Sequence, residues 1–524
     1  MPSPQPNLLR RCAHGAQLLL EVAVLSALIL GTRCANHADV FMGGQVYFID
    51  ADCYSRMTRV RLVAAHPGLI VRHQNFENFP EGTIPHTTAP LDYLIVGLAA
   101  LLGLFVRQPL DLAGAWISPL LALGAGWFLW WWSRRARRPY RWVGLLLFGL
   151  SPILAHGTAL GRPDHQALLI LLILVALAAE WSLGEKPSCG WALVSGLSWG
   201  LALWVSLYEP LLLLLLVIAG QAFRARASLL ALERRAGWGA LAGVLVLAAL
   251  VERRLPAFPA AQLHEFFVHW SATIGELSRV GLTNPIWWQW LGGFFLLAPA
   301  LLVVALARKQ IAPWWVLVTA AMFALTLWQA RWGYFLAVIF CLTTPVLIAV
   351  VRPRGLGALL AVIAFLPCLQ AWDDTLWPND TLAAERAARR REAMEWRDAA
   401  ESLPQKERAP FLAPWWLSPS AAYWSGQPAV GGSSHESLPG IVASARFFLS
   451  TQPAEPEAIL RARGVRWVLA SDGERVAENS AAILGVPTPS QPLCLTLDRT
   501  PSRAPVVLTL ASENGSAKLY RVRD

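Results

Sequence analysis

Two aspartates, Asp50 and Asp52, stand on either side of one alanine shortly after the first apolar run of the chain. Carboxylate oxygens are hard ligands, and two acids at this spacing can bind Mg²⁺ or Mn²⁺. The motif is short, and it occurs by chance in many loops. It therefore predicts a metal site only where further polar groups converge on it.

Further acids stand in two short polar stretches between apolar runs. Asp164 lies in the stretch 161–166, beside His165 and Gln166, where it can cap the helix that begins at about His165, ligate a metal ion, or do both. Glu276 lies in the stretch 271–277, which an amphipathic surface helix would also explain. Charges close to apolar runs are costly, so each of these residues requires a partner or a function.

A cation and an aromatic pair complete the set of candidate residues. Arg331 ends an apolar run, where it can extend its charged head to a membrane interface or clamp a phosphate through paired donors. Trp415 and Trp416 stand in a polar C-terminal segment, where tryptophans can anchor a domain at an interface. On one side of a membrane, this set suits metal-assisted transfer from a lipid-linked phosphate donor, because a cation and an arginine can stabilise the leaving phosphates.

The elements that position these residues are membrane helices. Hydrophobic residues make up 55% of the 524 residues and charged residues only 15%, against about 25% charged in a soluble domain. This composition excludes a soluble enzyme, a disordered chain and a disulfide scaffold, and the seven cysteines lack metal-binding spacing. Eleven apolar runs are long enough to span a bilayer, at 16–32, 113–132, 142–160, 165–183, 190–207, 210–223, 237–251, 285–307, 311–328, 332–350 and 355–372.

The arginines between these runs predict the orientation of the chain. A twelfth apolar run, 91–106, is best placed as a helix on the outer membrane face, because only then do the main basic clusters share the cytoplasmic side. Arg253 and Arg254 are the exception and fall outside. Since the net charge of +10 is explained by cytoplasmic loops, the partner expected is the lipid bilayer and no nucleic acid.

This orientation places the polar chemistry on the outer face of the plasma (inner) membrane. The fold class predicted is mainly α: a polytopic membrane protein with about 11–13 transmembrane helices in residues 1–372, followed by a small extracytoplasmic mixed α/β domain in 373–524. The loop 33–90, the turn 161–164 and the stretch 253–284 also face outside. In the C-terminal domain, 385–401 is typical of a solvated helix, and 466–470, 506–510 and 518–522 are typical of short strands.

In their order along the chain, these motifs resemble the catalytic subunit of the oligosaccharyltransferases, a family in the C-type glycosyltransferase superfamily. The loop 33–90 carries Asp-x-Asp and continues through 78–82 and 90–91, similar to a family stretch that precedes a semi-apolar helix on the outer face. The later matches are Gly161-x-x-Asp164, Thr273-Ile274-x-Glu276, Gln329-x-Arg331, Trp415-Trp416 and the closing stretch 518–522. These matches run in order over most of the chain. The chain thus resembles a divergent, bacterial-type member of the oligosaccharyltransferase family.

The resemblance implies a metal centre built from the first two motifs. Asp52 and Asp164 would be the charged ligands of Mn²⁺ or Mg²⁺, and Gln166 would contribute an amide oxygen. Asp50 and His165 are further candidates next to these positions.

The resemblance also implies the reaction. Asp52 and Glu276 would hydrogen-bond the acceptor amide and twist it out of conjugation, and Arg331 would grip the pyrophosphate of a polyprenyl-linked glycan donor. Trp415 and Trp416 would contact a protein or peptide acceptor. The enzyme would act as a single subunit and invert the sugar carbon during transfer.

The chain departs from the family pattern at three positions. Gln166 replaces an acid or a histidine, Gly157 replaces an arginine, and Leu417 replaces the aspartate that reads the hydroxyl of the Asn-x-Ser/Thr sequon. Because a leucine side chain cannot accept a hydrogen bond, the acceptor rule is open. Eleven spans are also fewer than the thirteen of the family.

Three alternatives stay open. The first is a C-type glycosyltransferase that uses a polyprenyl-phosphate sugar with a lipid or glycan acceptor. The second is an inactive relative, which Gln166 and Leu417 suggest. The third is a transporter, which would place polar residues midway along spans and show repeated halves, neither of which is evident here.

Overall fold

The structure is a computed structural model that describes residues 6–254 and 261–523. Segment 255–260 of the predicted outer stretch 253–284 lies outside the described residues. Six of the described helices are long and apolar enough to cross a membrane, and six shorter apolar helices accompany them. The long ones are Gly15–Arg33, Pro109–Arg135, His165–Glu185, Leu232–Glu252, Ala330–Ala349 and Arg354–Leu376.

Helices make up most of the first three quarters of the described chain, which also contains the hairpin of β1 (Phe41–Met42) and β2 (Gln45–Val46) and the non-helical segment 66–88. They are α1 (Pro6–Arg33), α2 (His37–Val40), α3 (Ala51–Ala65), α4 (Ala89–Leu102), α5 (Pro109–Arg135), α6 (Arg141–Leu150), α7 (Pro152–Gly157), α8 (His165–Glu185), α9 (Cys189–Val205), α10 (Tyr208–Leu229), α11 (Leu232–Glu252), α12 (His264–Ala272), α13 (Ile286–Leu291), α14 (Phe294–Ala307), α15 (Pro313–Trp328), α16 (Gly333–Ala349) and α17 (Arg354–Leu376).

Helix α16 is the centre of the apolar core. Its side chains are apolar on every face, and almost all of them are buried. Helices α6, α8, α14 and α15 pack around it. A helix that is apolar all round is stable only when neighbours cover it, and the position of Arg331, just before α16, is thereby fixed.

Each of the eleven predicted spans is helical, but two of them are divided. The predicted span 142–160 becomes α6 and α7, because Ser151 is extended and Pro152 begins the second helix without an N–H to continue the first. The predicted span 285–307 becomes α13 and α14. There Gly292 has a φ of +60°, and an added Cβ would lie 2.1 Å from the carbonyl oxygen of Ala364.

The predicted run 91–106 is helical only to Leu102, where α4 ends, and α4 packs against α3 and α5. The buried carboxylate of Asp92 in α4 lies 2.8 Å from Arg56 and 2.6 Å from Arg59, both in α3. Beyond the helix, Leu104 and Phe105 are highly exposed, as residues that face lipid would be. The ion pairs fix α3, whose first turn carries Asp52; the membrane location of α4 stays a prediction.

The region after α17 is of mixed α/β type. Its helices are α18 (Asp380–Glu401), α19 (Ser418–Ser425), α20 (Leu438–Leu449), α21 (Ala454–Ala462), α22 (Gly473–Leu484) and α23 (Leu493–Arg499). Its strands are β3 (Phe411–Leu412), β4 (Trp467–Ala470), β5 (Leu508–Asn514) and β6 (Ala517–Val522), in the order β3-β4-β6-β5. β3 is parallel to β4, and the other pairs are antiparallel. The domain boundary at 373 stays a prediction; α17 runs through it to Leu376.

Candidate active site

The Asp-x-Asp motif opens α3. The side chain of Asp50 accepts a hydrogen bond of 3.0 Å from the backbone N–H of Cys53, so Asp50 is the N-cap of the helix. Asp52 follows in the first turn, and its side chain keeps solvent access. The two aspartates therefore differ in role: the first one begins the helix, and the second one is available to a ligand.

The second acidic motif opens α8 in the same way. A side-chain oxygen of Asp164 accepts a hydrogen bond of 2.6 Å from the backbone N–H of His165 and lies 2.6 Å from the Nδ1 atom of the same residue. Gln166 is fully buried, and its amide oxygen and nitrogen have no hydrogen-bond partner in the described part of the chain. A buried amide without a partner is costly, which marks Gln166 as a group that a ligand can satisfy.

Arg162 brings the separate acidic motifs together. The arginine is 4% exposed. Its guanidinium nitrogens lie 2.6 Å from Glu276 Oε1, 3.3 Å from Asp50 Oδ2 and 3.6 Å from Asp164 Oδ2. Three acids that are up to 226 positions apart in sequence therefore meet at one cation. This convergence is the main geometric finding about the site.

The environment separates the pKa values of the two aspartates proposed as metal ligands. Desolvation by the neighbouring protein, together with the charges of Asp50 and Asp164, raises the pKa of Asp52 well above its usual range. A hydrogen bond from Ser433 acts in the opposite direction but is outweighed. Asp164 is buried, which opposes its ionisation, but the charge and hydrogen bond of His165 and the charge of Arg162 hold the pKa of Asp164 below its usual range.

Arg331 lies beside a buried acid that the sequence analysis did not select. Its guanidinium is 2.5 Å from an oxygen of Glu209, which lies in the first turn of α10 and has no solvent exposure. The second oxygen of Glu209 accepts a 2.7 Å hydrogen bond from Ser206. Arg331 itself stays 21% exposed, so its outer donors can reach a ligand.

The two tryptophans separate. Trp415 donates a hydrogen bond of 2.8 Å to Asn479 and packs edge-on against Trp270 of α12, at 5.7 Å between ring centroids. It thereby joins the C-terminal region to the segment that carries Glu276. Trp416 and Leu417 instead line a cavity of about 920 Å³, whose wall also includes Asp50.

The sequence matches no protein-family model and no curated protein. Solved structures match its fold. One is the archaeal oligosaccharyltransferase AglB of Archaeoglobus fulgidus in complex with an inhibitory peptide and a dolichol-phosphate (TM-score 0.67, 14% identity, 89% of this chain and 70% of that chain covered). The same enzyme with zinc and sulfate gives a TM-score of 0.63 at 15% identity, with 86% and 67% covered. ArnT of Cupriavidus metallidurans bound to undecaprenyl phosphate gives 0.55 at 14% identity, with 97% and 98% covered.

The chain therefore shares the overall fold of these AglB and ArnT structures. The predicted fold class, a mainly helical multi-pass membrane protein, is confirmed. Within this fold the structure brings Asp50, Asp164 and Glu276 into contact with one arginine. The catalytic and binding roles of the candidate residues stay predictions.

The metal set implied by the resemblance fits the residues that the structure shows here. Asp52 carries a raised pKa among like charges, and Gln166 has an orphaned buried amide. Both are conditions that a cation would relieve. Asp52, Asp164 and Gln166 are therefore the residues that would hold it.

A second group of ligand atoms lies nearby, and sequence reasoning missed it. One oxygen of Glu436 is 2.7 Å from His86 Nδ1, and the other is 3.5 Å from His435 Nδ1. Among the described residues, this is the one group of three His, Cys, Asp or Glu ligand atoms within 4.8 Å of one another. His86 is 34 positions from Asp52, and no local spacing links it to Glu436, so a short-motif search could not find the group.

Proposed function

We propose that the protein is an oligosaccharyltransferase-like membrane glycosyltransferase. It moves a glycan from a polyprenyl-(pyro)phosphate carrier to an acceptor, with protein asparagine as the leading form. The observation that carries this proposal is the meeting of Asp50, Asp164 and Glu276 at Arg162, from three separate segments that the motif order predicted to act together. The structural likeness to AglB, solved with a peptide and a dolichol-phosphate, supports it.

In this proposal, the donor phosphates, the divalent cation and the acceptor are each bound by different residues of the site. Arg331, held by Glu209, offers paired N–H donors to the donor phosphates. A divalent cation, Mn²⁺ or Mg²⁺, held by Asp52, Asp164 and Gln166 would neutralise charge on the leaving phosphate. Glu276 accepts a hydrogen bond from the N–H of the acceptor and takes up its proton.

The bond changes balance without a further reactant. The acceptor nitrogen forms a bond to the anomeric carbon, and the bond from that carbon to the carrier phosphate oxygen breaks. The phosphate departs with the electron pair, and a carboxylate receives the proton of the nitrogen. Attack opposite to the leaving group inverts the sugar carbon.

The location follows from the same proposal. The chain would lie in the plasma (inner) membrane with its acidic site and residues 373–524 on the extracytoplasmic face, because the basic loops favour the cytoplasm. Its partners would be the polyprenyl-linked glycan, a protein or peptide acceptor and the bilayer, and one subunit would suffice.

A second candidate is transfer from a polyprenyl-phosphate sugar to a lipid or glycan hydroxyl. Two observations favour it: the match to ArnT, solved with undecaprenyl phosphate, covers 97% of this chain, and Leu417 lines the cavity where a sequon-reading aspartate would stand. A hydroxyl acceptor needs no amide twisting, so dependence on Glu276 separates the two candidates.

A transfer assay tests the proposal. Purified protein in detergent receives polyprenyl-linked glycan from the source organism and one of two peptides, containing Asn-x-Thr or Asn-x-Ala, with and without Mn²⁺. Metal-dependent transfer to the first peptide alone supports sequon-directed chemistry, and equal transfer to both supports a looser acceptor rule. Transfer to neither peptide, but to an endogenous lipid fraction, would support the second candidate. No transfer at all would overturn both.

A further inference from the structure

Four side chains form a closed ring of hydrogen bonds beside the acids. Arg162 Nη2 donates to Glu276 Oε1 at 2.6 Å, and the hydroxyl of Tyr334 donates to the same oxygen at 3.0 Å. His156 Nδ1 is 2.8 Å from the Tyr334 hydroxyl, and His156 Nε2 is 3.1 Å from Arg162 Nη1. The rings of His156 and Tyr334 are parallel to within 6°.

The chemistry of the four groups fixes the direction of every bond. A guanidinium only donates, so His156 must accept at Nε2 and carry its proton at Nδ1. The Nδ1–H then donates to the oxygen of Tyr334, whose own proton is directed to Glu276. The ring therefore requires Oε1 of Glu276 to accept two hydrogen bonds and His156 to be neutral.

The ring uses only one of the two carboxylate oxygens of Glu276 as a hydrogen-bond acceptor. Both donors reach Oε1, and Oε2 has no hydrogen-bond or ion-pair partner within 6–254 and 261–523. The side chain of Glu276 is 30% exposed, so Oε2 is open to an incoming group. An ionised carboxylate has only lone pairs there, and it selects a partner that donates N–H or O–H.

Arg162 also compensates charge. Its guanidinium is shared by Glu276, Asp50 and Asp164, which lie within 3.6 Å of its nitrogens. Gln166, two positions after Asp164, adds no charge of its own. Buried like charges repel one another unless a cation lies between them. A metal ion can dissociate from the site, whereas an arginine side chain is covalently attached and always charged. The positive charge of Arg162 is therefore permanent.

We propose that Arg162 is the built-in cation of the acidic site and that Arg162, Tyr334 and His156 act as positioning residues for Glu276. They orient the carboxylate of Glu276 and leave its Oε2 atom free to accept a hydrogen bond from the acceptor. Arg162 supplies part of the positive charge among the acids and competes with a divalent cation for them. The assignment of Oε2 to the acceptor rests on the proposed function.

Metal affinity tests the built-in cation independently of transfer. Mn²⁺ binding to the full-length protein in detergent is measured by electron paramagnetic resonance. Arg162→Met should bind Mn²⁺ at least about tenfold more tightly than the wild type, because a positive charge next to the acids is removed. Arg162→Lys should remain close to the wild type. Arg61→Met is the matched control, since Arg61 pairs with Asp111 and lies outside the acid cluster.

The outcomes separate charge competition from damage to the fold. A misfolded variant would lose Mn²⁺ binding instead of gaining it. Unchanged or weaker Mn²⁺ binding by Arg162→Met, in a protein that unfolds at the same temperature as the wild type, would overturn the role of Arg162 as built-in cation.

Tyr334→Phe tests the positioning role with little risk to the fold. It removes one hydroxyl that donates to Glu276, so we expect the KM for the acceptor to rise about tenfold, with kcat and donor binding nearly unchanged. An acceptor KM equal to that of the wild type would overturn the positioning role. If the wild type transfers no glycan while Arg162→Met still tightens Mn²⁺ binding, the proposed function fails and the built-in cation stands.

Discussion

Arg331 and Glu209 form an ion pair of 2.5 Å at the junction of two helices that are more than 100 positions apart in sequence. Glu209 is fully buried, whereas Arg331 keeps part of its surface open. A buried carboxylate with one cationic partner holds that partner in a defined place. The pair therefore presents the guanidinium of Arg331 in a fixed orientation, as recognition of a phosphate requires.

The first prediction concerns donor binding. Arg331→Ala should weaken the binding of polyprenyl-linked glycan by about ten- to a hundredfold, because charge-assisted donors are lost. It should also destabilise the fold by about 3–5 kcal/mol, because Glu209 stays buried without its partner. A fluorescent lipid-binding assay and thermal unfolding in detergent measure the two effects.

A double variant separates these two effects. Glu209→Gln with Arg331→Gln replaces the ion pair by two neutral amides that can hydrogen-bond to each other, so stability should recover in part while donor binding stays low. Donor affinity equal to that of the wild type in this variant would remove Arg331 from the donor site.

The second prediction concerns Asp52. Asp52→Asn should abolish transfer and leave the thermal unfolding temperature unchanged or slightly higher, because a neutral amide removes repulsion from Asp50 and Asp164. Asp39→Asn, in the same loop but paired with Arg390 at 2.5 Å, is the control and should retain activity. Full transfer by Asp52→Asn would rule out the proposed metal site.

The helices of the membrane region were predictable because long runs of apolar residues are sufficient to identify them. In a bilayer, an apolar run of spanning length has no stable conformation other than a helix. The predicted spans 165–183 and 332–350 therefore correspond directly to α8 and α16. The breaks at Pro152 and Gly292 were missed because apolarity continues through them while the backbone does not.

The site was predictable only as far as local motifs reach. Asp164 and Glu276 stood out because acids beside apolar runs are costly. Their meeting at Arg162 depends on tertiary packing, and so does the burial of Glu209 against Arg331. No spacing in the sequence encodes a contact between residues so far apart, and the His86–Glu436 contact was missed for the same reason.

The third prediction concerns topology. In a cysteine-free background, a cysteine in place of the exposed Arg137 should resist membrane-impermeant maleimide in whole cells, because the positive-inside rule puts it in the cytoplasm. A cysteine in place of the exposed Glu455, in the C-terminal region, should react readily. Labelling at position 137 without labelling at 455 would invert the orientation.

The fourth prediction concerns Glu77, a buried acid of the loop 33–90. It is 1% exposed, neither of its oxygens has a hydrogen-bond partner of good geometry in the described chain, and burial raises its pKa to about 7. The folded state therefore holds the proton more tightly than the unfolded state does. The resulting stability is complete below the unfolded pKa of about 4.5 and is lost as the pH rises to about 7, a difference of about 3 kcal/mol.

Glu77→Gln imitates the protonated acid at every pH. Its unfolding temperature in detergent should match that of the wild type at pH 4.5 and exceed it at pH 8. Glu81→Gln, in the same loop but 62% exposed, is the matched control and should show no such divergence. If Glu77→Gln were equally stable relative to the wild type at both pH values, Glu77 would not hold its proton in the folded protein. Glu77 would then make no contribution to the pH dependence of the unfolding temperature.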